Sequence, residues 1–128
     1  MGAATEQDKL AKAPDDAGHV ALYGIYFDTD KATLRPDSEA TLVQIQKLLT
    51  AQPAMKLEIQ GHTDNTGTRP HNDTLSQERA SAVKVWLIAH GIDGGRFSPK
   101  GYADTKPVAQ NGTPQGRALN RRVELVPT

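Results

Sequence analysis

Two apolar periodicities alternate along this chain, and their order limits it to a layered mixture of strands and helices. Residues 20–27, VALYGIYF, are β-branched and aromatic and read as a mostly buried strand. The DTDK stretch at 28–31 breaks it. Pro36, followed by Asp37 and Glu39, marks the first turn of a helix, where proline is tolerated and acids favour the positive end. Leu42, Ile45, Leu48 and Leu49 then form one apolar stripe, and Pro53 closes the helix. Met55, Leu57 and Ile59 alternate with polar residues and predict a half-buried strand with those three facing inward. The run from Gly61 to Pro70 is dense in turn formers and reads as loop. A second helix is predicted to begin between Asn72 and Ser76, with Thr74 and Gln77 as a capping box. It carries Val83, Trp86 and Leu87 on its buried side and stops at Gly91. Residues 96–102 predict a third strand, weakened by Pro99. A polar loop (103–116), one helical turn (117–120) and a final alternating strand (122–126) complete the pattern.

The resulting order, β-α-β-α-β-β, predicts an α/β (α+β) two-layer sandwich, a mixed sheet with the helices on one face. A length of 128 residues suits one domain with a single modest core. Residues 1–18 are polar and aperiodic and are expected to be a disordered linker or tail, leaving 19–128 as the domain. They hold no apolar signal segment, and no stretch reaches the roughly 20 apolar residues of a bilayer span. Any membrane attachment is therefore expected to come from a module absent from this chain. Fifteen basic and 15 acidic side chains cancel, which argues against a nucleic-acid partner. The absence of cysteine excludes disulfides, thiolate zinc sites and cysteine nucleophiles.

Arg79 is the most informative residue. Its helix neighbours at i−4, i+4 and i+7 are Leu75, Val83 and Trp86, so its guanidinium lies in line with the apolar stripe. A desolvated guanidinium keeps its charge and needs an acceptor. Asp64, at the centre of the 61–70 loop, is the carboxylate placed to meet it. Two readings follow. One is a structural ion pair pinning loop to helix. The other is a clamp for a zwitterion, in which the carboxylate takes an ammonium and the forked guanidinium takes a carboxylate. Thr66 and Asn72 would add neutral hydrogen bonds.

Other conspicuous residues have simpler readings. His62 beside Asp64 suggests a general base, but no motif places a nucleophile next to it, so it is expected to order its loop by hydrogen bonding. The spacing of His62, Asp64 and His71 matches no familiar metal motif. Trp86 belongs to the core stripe, and Tyr23 and Tyr26 to strand packing. Arg121 and Arg122 fall on opposite faces of an alternating strand, Arg121 toward the ligand site and Arg122 toward solvent or an acid. The GTPQG loop at 112–116 lacks the lysine–serine pair of a phosphate cradle.

FDTDKATL (27–34), GHTDNTG (61–67), Asn72, LSQERA (75–80), GY (101–102) and GRALNRRV (116–123) together resemble the OmpA-like C-terminal domain. That family is shared by porin-type OmpA proteins, the peptidoglycan-associated lipoprotein and the flagellar stator protein MotB. The resemblance spans residues 20–126. It implies non-covalent binding of peptidoglycan through the meso-diaminopimelate of the stem peptide, anchoring an envelope protein at the periplasmic face of the Gram-negative outer membrane. The free end of that residue is an amino-acid head group, which favours the zwitterion clamp. By the resemblance, the main contacts fall on Asp64 and Arg79, and supporting contacts on Asp30, Thr66, Asn72, Leu75 and Arg121. Asp30 stands where relatives often carry Asn, and an ionised Asp cannot donate a hydrogen bond. No catalytic residue, metal or cofactor is implied, and a homodimer is compatible with the pattern. Asp64 and Arg79 are expected to pair with each other in the empty site, so that binding exchanges one ion pair for two and affinity falls between micromolar and millimolar. The alternatives are a periplasmic protein-interaction module with a purely structural Asp64–Arg79 pair, and a peptidoglycan hydrolase.

Overall fold

The computed structural model describes residues 24–128; the predicted tail at 1–18, the boundary at 19 and residues 20–23 of the predicted first strand lie outside them. Within that span the elements are β1 (Gly24–Tyr26), α1 (Glu39–Ala51), β2 (Leu57–Gly61), α2 (Arg69–Ala89), β3 (Phe97–Gly101), α3 (Pro114–Asn120) and β4 (Arg122–Pro127). Short 3-10 turns at Pro36–Ser38 and Gly94–Arg96 lead into α1 and β3. The strands form one sheet in the order β1-β4-β2-β3. The central β4 runs antiparallel to both β1 and β2, while β3 runs parallel to β2. The sheet is mixed, as predicted.

One face of the sheet makes the core. Ile25, Leu57, Ile59, Phe97, Val123 and Leu125 from the strands meet Leu42, Ile45, Leu48 and Leu49 of α1 and Ala80, Val83 and Leu87 of α2 in a single buried cluster. Both long helices therefore cover the same face. Met55 and Trp86, expected in the core, are partly buried against it. Tyr26 points outward and is 42% exposed.

Several boundaries differ from expectation for local reasons. Helix α2 starts at Arg69, not between 72 and 76. Its N-cap is Thr68, whose hydroxyl accepts from the His71 amide at 3.3 Å, and Pro70 sits in the first turn, where no N–H is required. Thr74 and Gln77 are interior residues. At the other end Gly91 has φ +96, the left-handed stop that the sequence predicted. Helix α3 begins at Pro114, three residues before the predicted turn, capped by the Thr113 hydroxyl on the Gly116 amide at 3.0 Å. Pro99 is accommodated because β3 is an edge strand. In β4, burial extends to both faces at Arg122 and Val126, because the strand is central. The carbonyl of Lys106 lies over it and accepts from Arg122 Nη2 at 2.9 Å.

The approach of α2 to the sheet depends on Gly61. A Cβ there would lie 1.8 Å from the Ser76 carbonyl oxygen. Its register partner Gly101 faces the same turn, where a Cβ would lie 2.7 Å from the Gln77 amide nitrogen. This contact brings Arg79, one helical turn further on, over the point where β2 gives way to the 62–68 loop.

Candidate functional site

Arg79 has no solvent exposure. Its guanidinium donates from Nε to the Lys31 carbonyl at 2.8 Å, from Nη1 to the His62 carbonyl at 2.9 Å and from Nη2 to the Asp28 carbonyl at 3.0 Å. The Phe27 ring lies 5.2 Å below its central carbon. Burial lowers the guanidinium to about 10, with Asp64 and Asp30 opposing that shift and Arg121 adding to it. It stays cationic at neutral pH. A guanidinium carries five N–H groups. Three are committed, which leaves one on each terminal nitrogen without a partner among the described residues.

Asp64 is not the acceptor for Arg79, contrary to expectation. Its Oδ2 lies 3.1 Å from Arg121 Nη1, and its Oδ1 accepts from the Thr66 amide at 2.9 Å. Arg121 is anchored in turn through Nε to the Phe27 carbonyl at 3.0 Å. The two arginines therefore divide the work. Arg79 ties the 28–31 loop to the start of the 62–68 loop through backbone carbonyls, and Arg121 neutralises the buried acid.

A cleft of about 310 Å³ opens beside these groups. Asp30, Asp64, Thr66, Asn72, Leu75, Arg79 and Arg121, the seven residues singled out above, all line it, together with Thr29, Thr63, Gly67 and His71. Asn72 and Leu75 are buried on the first turns of α2, and Thr66 is exposed at the rim. Asp30 sits at φ +58, a left-handed conformation that Asp tolerates, and its Oδ1 contacts His71 Nε2. The sequence pattern suggests His71 only as a metal ligand; the signal that places it in the cleft is Pro70, which marks the helix start. A larger hollow of about 580 Å³, beside β1 and α3, holds charges that pair with each other, Arg35 and Asp37 at 2.8 Å.

His62 does not order its loop through its side chain. Both ring nitrogens are buried without a hydrogen-bond partner among the described residues, and the ring stacks on Tyr102 with centroids 5.5 Å apart. Burial, then the charges of Arg122 and Lys106, lower the imidazole to about 3, so it is neutral. The loop is held by backbone instead, the His62 amide donating to the Arg122 carbonyl at 2.8 Å and the Thr63 amide to the Ala103 carbonyl at 2.9 Å. Arg121 and Arg122 do diverge as expected: Arg121 lines the cleft, and Arg122 pairs with Glu124. Among the described residues no group of His, Asp or Glu is arranged to hold a metal ion.

A mixed four-stranded sheet with its two long helices on one face and a charged cleft at the head of α2 defines an α+β domain. The chain belongs to the OmpA family, which residues 26–121 match. Outer membrane porin F of Pseudomonas aeruginosa is 40% identical over 91% of this chain, and the match covers 38% of the porin. The peptidoglycan-binding protein ArfA of Mycobacterium bovis is 41% identical over 80% of this chain and 31% of its own length. The chain thus spans about a third of the length of these relatives. Among solved structures, the peptidoglycan-associated lipoprotein of Burkholderia pseudomallei superposes with a TM-score of 0.81 at 30% identity, covering 93% of this chain and 99% of that one.

Proposed function

We propose that this domain binds peptidoglycan non-covalently through the head group of meso-diaminopimelate, anchoring an outer-membrane or envelope protein to the cell wall at its periplasmic face. The carrying observation is that the cleft holds a buried carboxylate, Asp64, and a buried guanidinium, Arg79, with an uncommitted N–H on each terminal nitrogen. The ligand ammonium takes Asp64, and its carboxylate takes the free N–H pair of Arg79. Thr66, Asn72 and Arg121 add hydrogen bonds, and Leu75 packs against the aliphatic stem. The names of the relatives, a peptidoglycan-binding protein and a peptidoglycan-associated lipoprotein, support the reading.

The geometry alters the expected energetics. Arg79 is already fixed by three carbonyls, so it is preorganised and no Asp64–Arg79 pair has to break. The ammonium instead joins Asp64 beside Arg121, which costs part of that pair. Micromolar to millimolar affinity for the free amino acid still follows, with avidity along the polymer. The Asp64–Arg79 pair that the protein-interaction alternative takes as structural does not form; the structural contacts run from Arg79 to carbonyls and from Asp64 to Arg121. The hydrolase alternative loses its base, because burial lowers the His62 imidazole to about 3, too weakly basic to take a proton at neutral pH, and the ring is stacked against Tyr102.

The test is a backbone-amide NMR titration with meso-diaminopimelate on wild type, Asp64→Asn and Arg79→Lys. Saturable shifts at residues 28–31, 63–67 and 72–79, weakened in both variants, are expected. Asp64→Asn keeps the side-chain shape and so remains informative if Arg79→Lys unfolds. No wild-type shifts up to tens of millimolar would sink the proposal.

A further inference from the structure

Asp30 occupies an unusual place in the cleft. The two backbone carbonyls that hold Nε and Nη2 of Arg79 belong to Lys31 and Asp28, so the loop carrying Asp30 wraps the guanidinium. Asp30 stands between those anchors, with its side chain on the cleft wall. Its Oδ1 is held by His71 Nε2 from the first turn of α2, which fixes the carboxylate at the rim and leaves Oδ2 uncommitted among the described residues. Its charge reaches Arg79, acting with Asp64 and against Arg121.

We propose that Asp30 sets the selectivity of the cleft between a ligand carboxylate and the corresponding carboxamide, a step that rests on the binding mode given above. Any anion seated on the free N–H pair of Arg79 shares its surroundings with the Asp30 carboxylate. Like charges oppose each other there, and the opposition weakens the gain from the guanidinium. A carboxamide carries no charge to repel, and its N–H₂ can donate to Asp30 Oδ2. The Asp30 carboxylate, held at the rim by His71, thus makes the cleft tolerant of head groups whose acid has been amidated.

The experiment compares meso-diaminopimelate with its bis-carboxamide by NMR titration at one fixed pH, on wild type, Asp30→Asn and Asp30→Gly. Asparagine and glycine both accept the φ of +58, and the Asp30 side chain is 65% exposed, so both variants should fold. Removing the charge should raise the preference for the acid over the amide roughly two- to five-fold, the size of one solvent-screened charge interaction. The gain should shrink at high salt. A gain confined to Asp30→Asn would assign the effect to the new amide donor and overturn the charge argument. Unchanged preference with both ligands bound would also overturn it, while leaving the binding mode intact. Binding of neither ligand by wild type would remove both.

Discussion

Arg121 Nη1 lies 3.1 Å from Asp64 Oδ2, across 57 residues of sequence, and this pair, not one with Arg79, neutralises the buried acid of the cleft. It joins the end of α3 to the loop after β2. It also explains how Arg79 keeps two donors free, since Asp64 makes no claim on them.

Removing Arg121 should therefore cost stability as well as binding. The Asp64 side chain is 7% exposed beside Arg121; Arg121→Ala removes its cationic partner among the described residues, and the Phe27 carbonyl loses a donor. Loss of one partner of a largely buried pair is worth about 2–4 kcal/mol. Urea denaturation of wild type and variant measures it. A loss below about 0.5 kcal/mol, the level of an exposed pair, would show that water relaxes around Asp64 freely.

His62 makes stability depend on acid. The unfolded imidazole takes up a proton near 6.5, and the folded one only near 3. Between these values the unfolded state binds more protons, so stability falls as pH drops from 6.5 to 3. The contribution over that window is roughly 3–5 kcal/mol. His62→Phe keeps a ring against Tyr102 and cannot titrate, so its curve of stability against pH should be flatter by that amount. Parallel curves would refute the assignment.

Gly61→Ala should be severe. The added methyl meets the Ser76 carbonyl at 1.8 Å, and backbone, not a flexible side chain, would have to move. Pushing α2 off β2 is expected to cost about 3 kcal/mol or more, at the upper end for overpacking. Thermal unfolding followed by circular dichroism reads this directly. An unchanged melting temperature would mean that the helix can shift without strain.

The start of α2 can be tested by two threonines. Thr68→Ala removes the N-cap and should cost about 1 kcal/mol. Thr74→Ala, inside the helix, should be neutral or slightly stabilising. The opposite ranking in chemical denaturation would restore the later helix start.

What the sequence determined by itself was set by short-range pattern. Leu42, Ile45, Leu48 and Leu49 share a stripe, and Leu57 and Ile59 share a face, because helical and extended backbones repeat at fixed periods. Arg79 was legible as a buried cation from its neighbours at i−4 and i+4. Asp64, Thr66 and Asn72 followed from their places around it, whereas Asp30, Leu75 and Arg121 came only from the family resemblance. The partners were not legible. Arg79 meets carbonyls 48 and 51 residues away, Arg121 meets Asp64 across 57, and Asp30 meets His71 across 41. Backbone carbonyls are present at every position, so no residue type announces which of them will accept. That choice depends on how closely α2 lies on β2 at Gly61 and where the 28–31 and 62–68 loops then come to rest. A hydrogen bond tolerates only a few tenths of an ångström, and only the tertiary structure resolves distances on that scale.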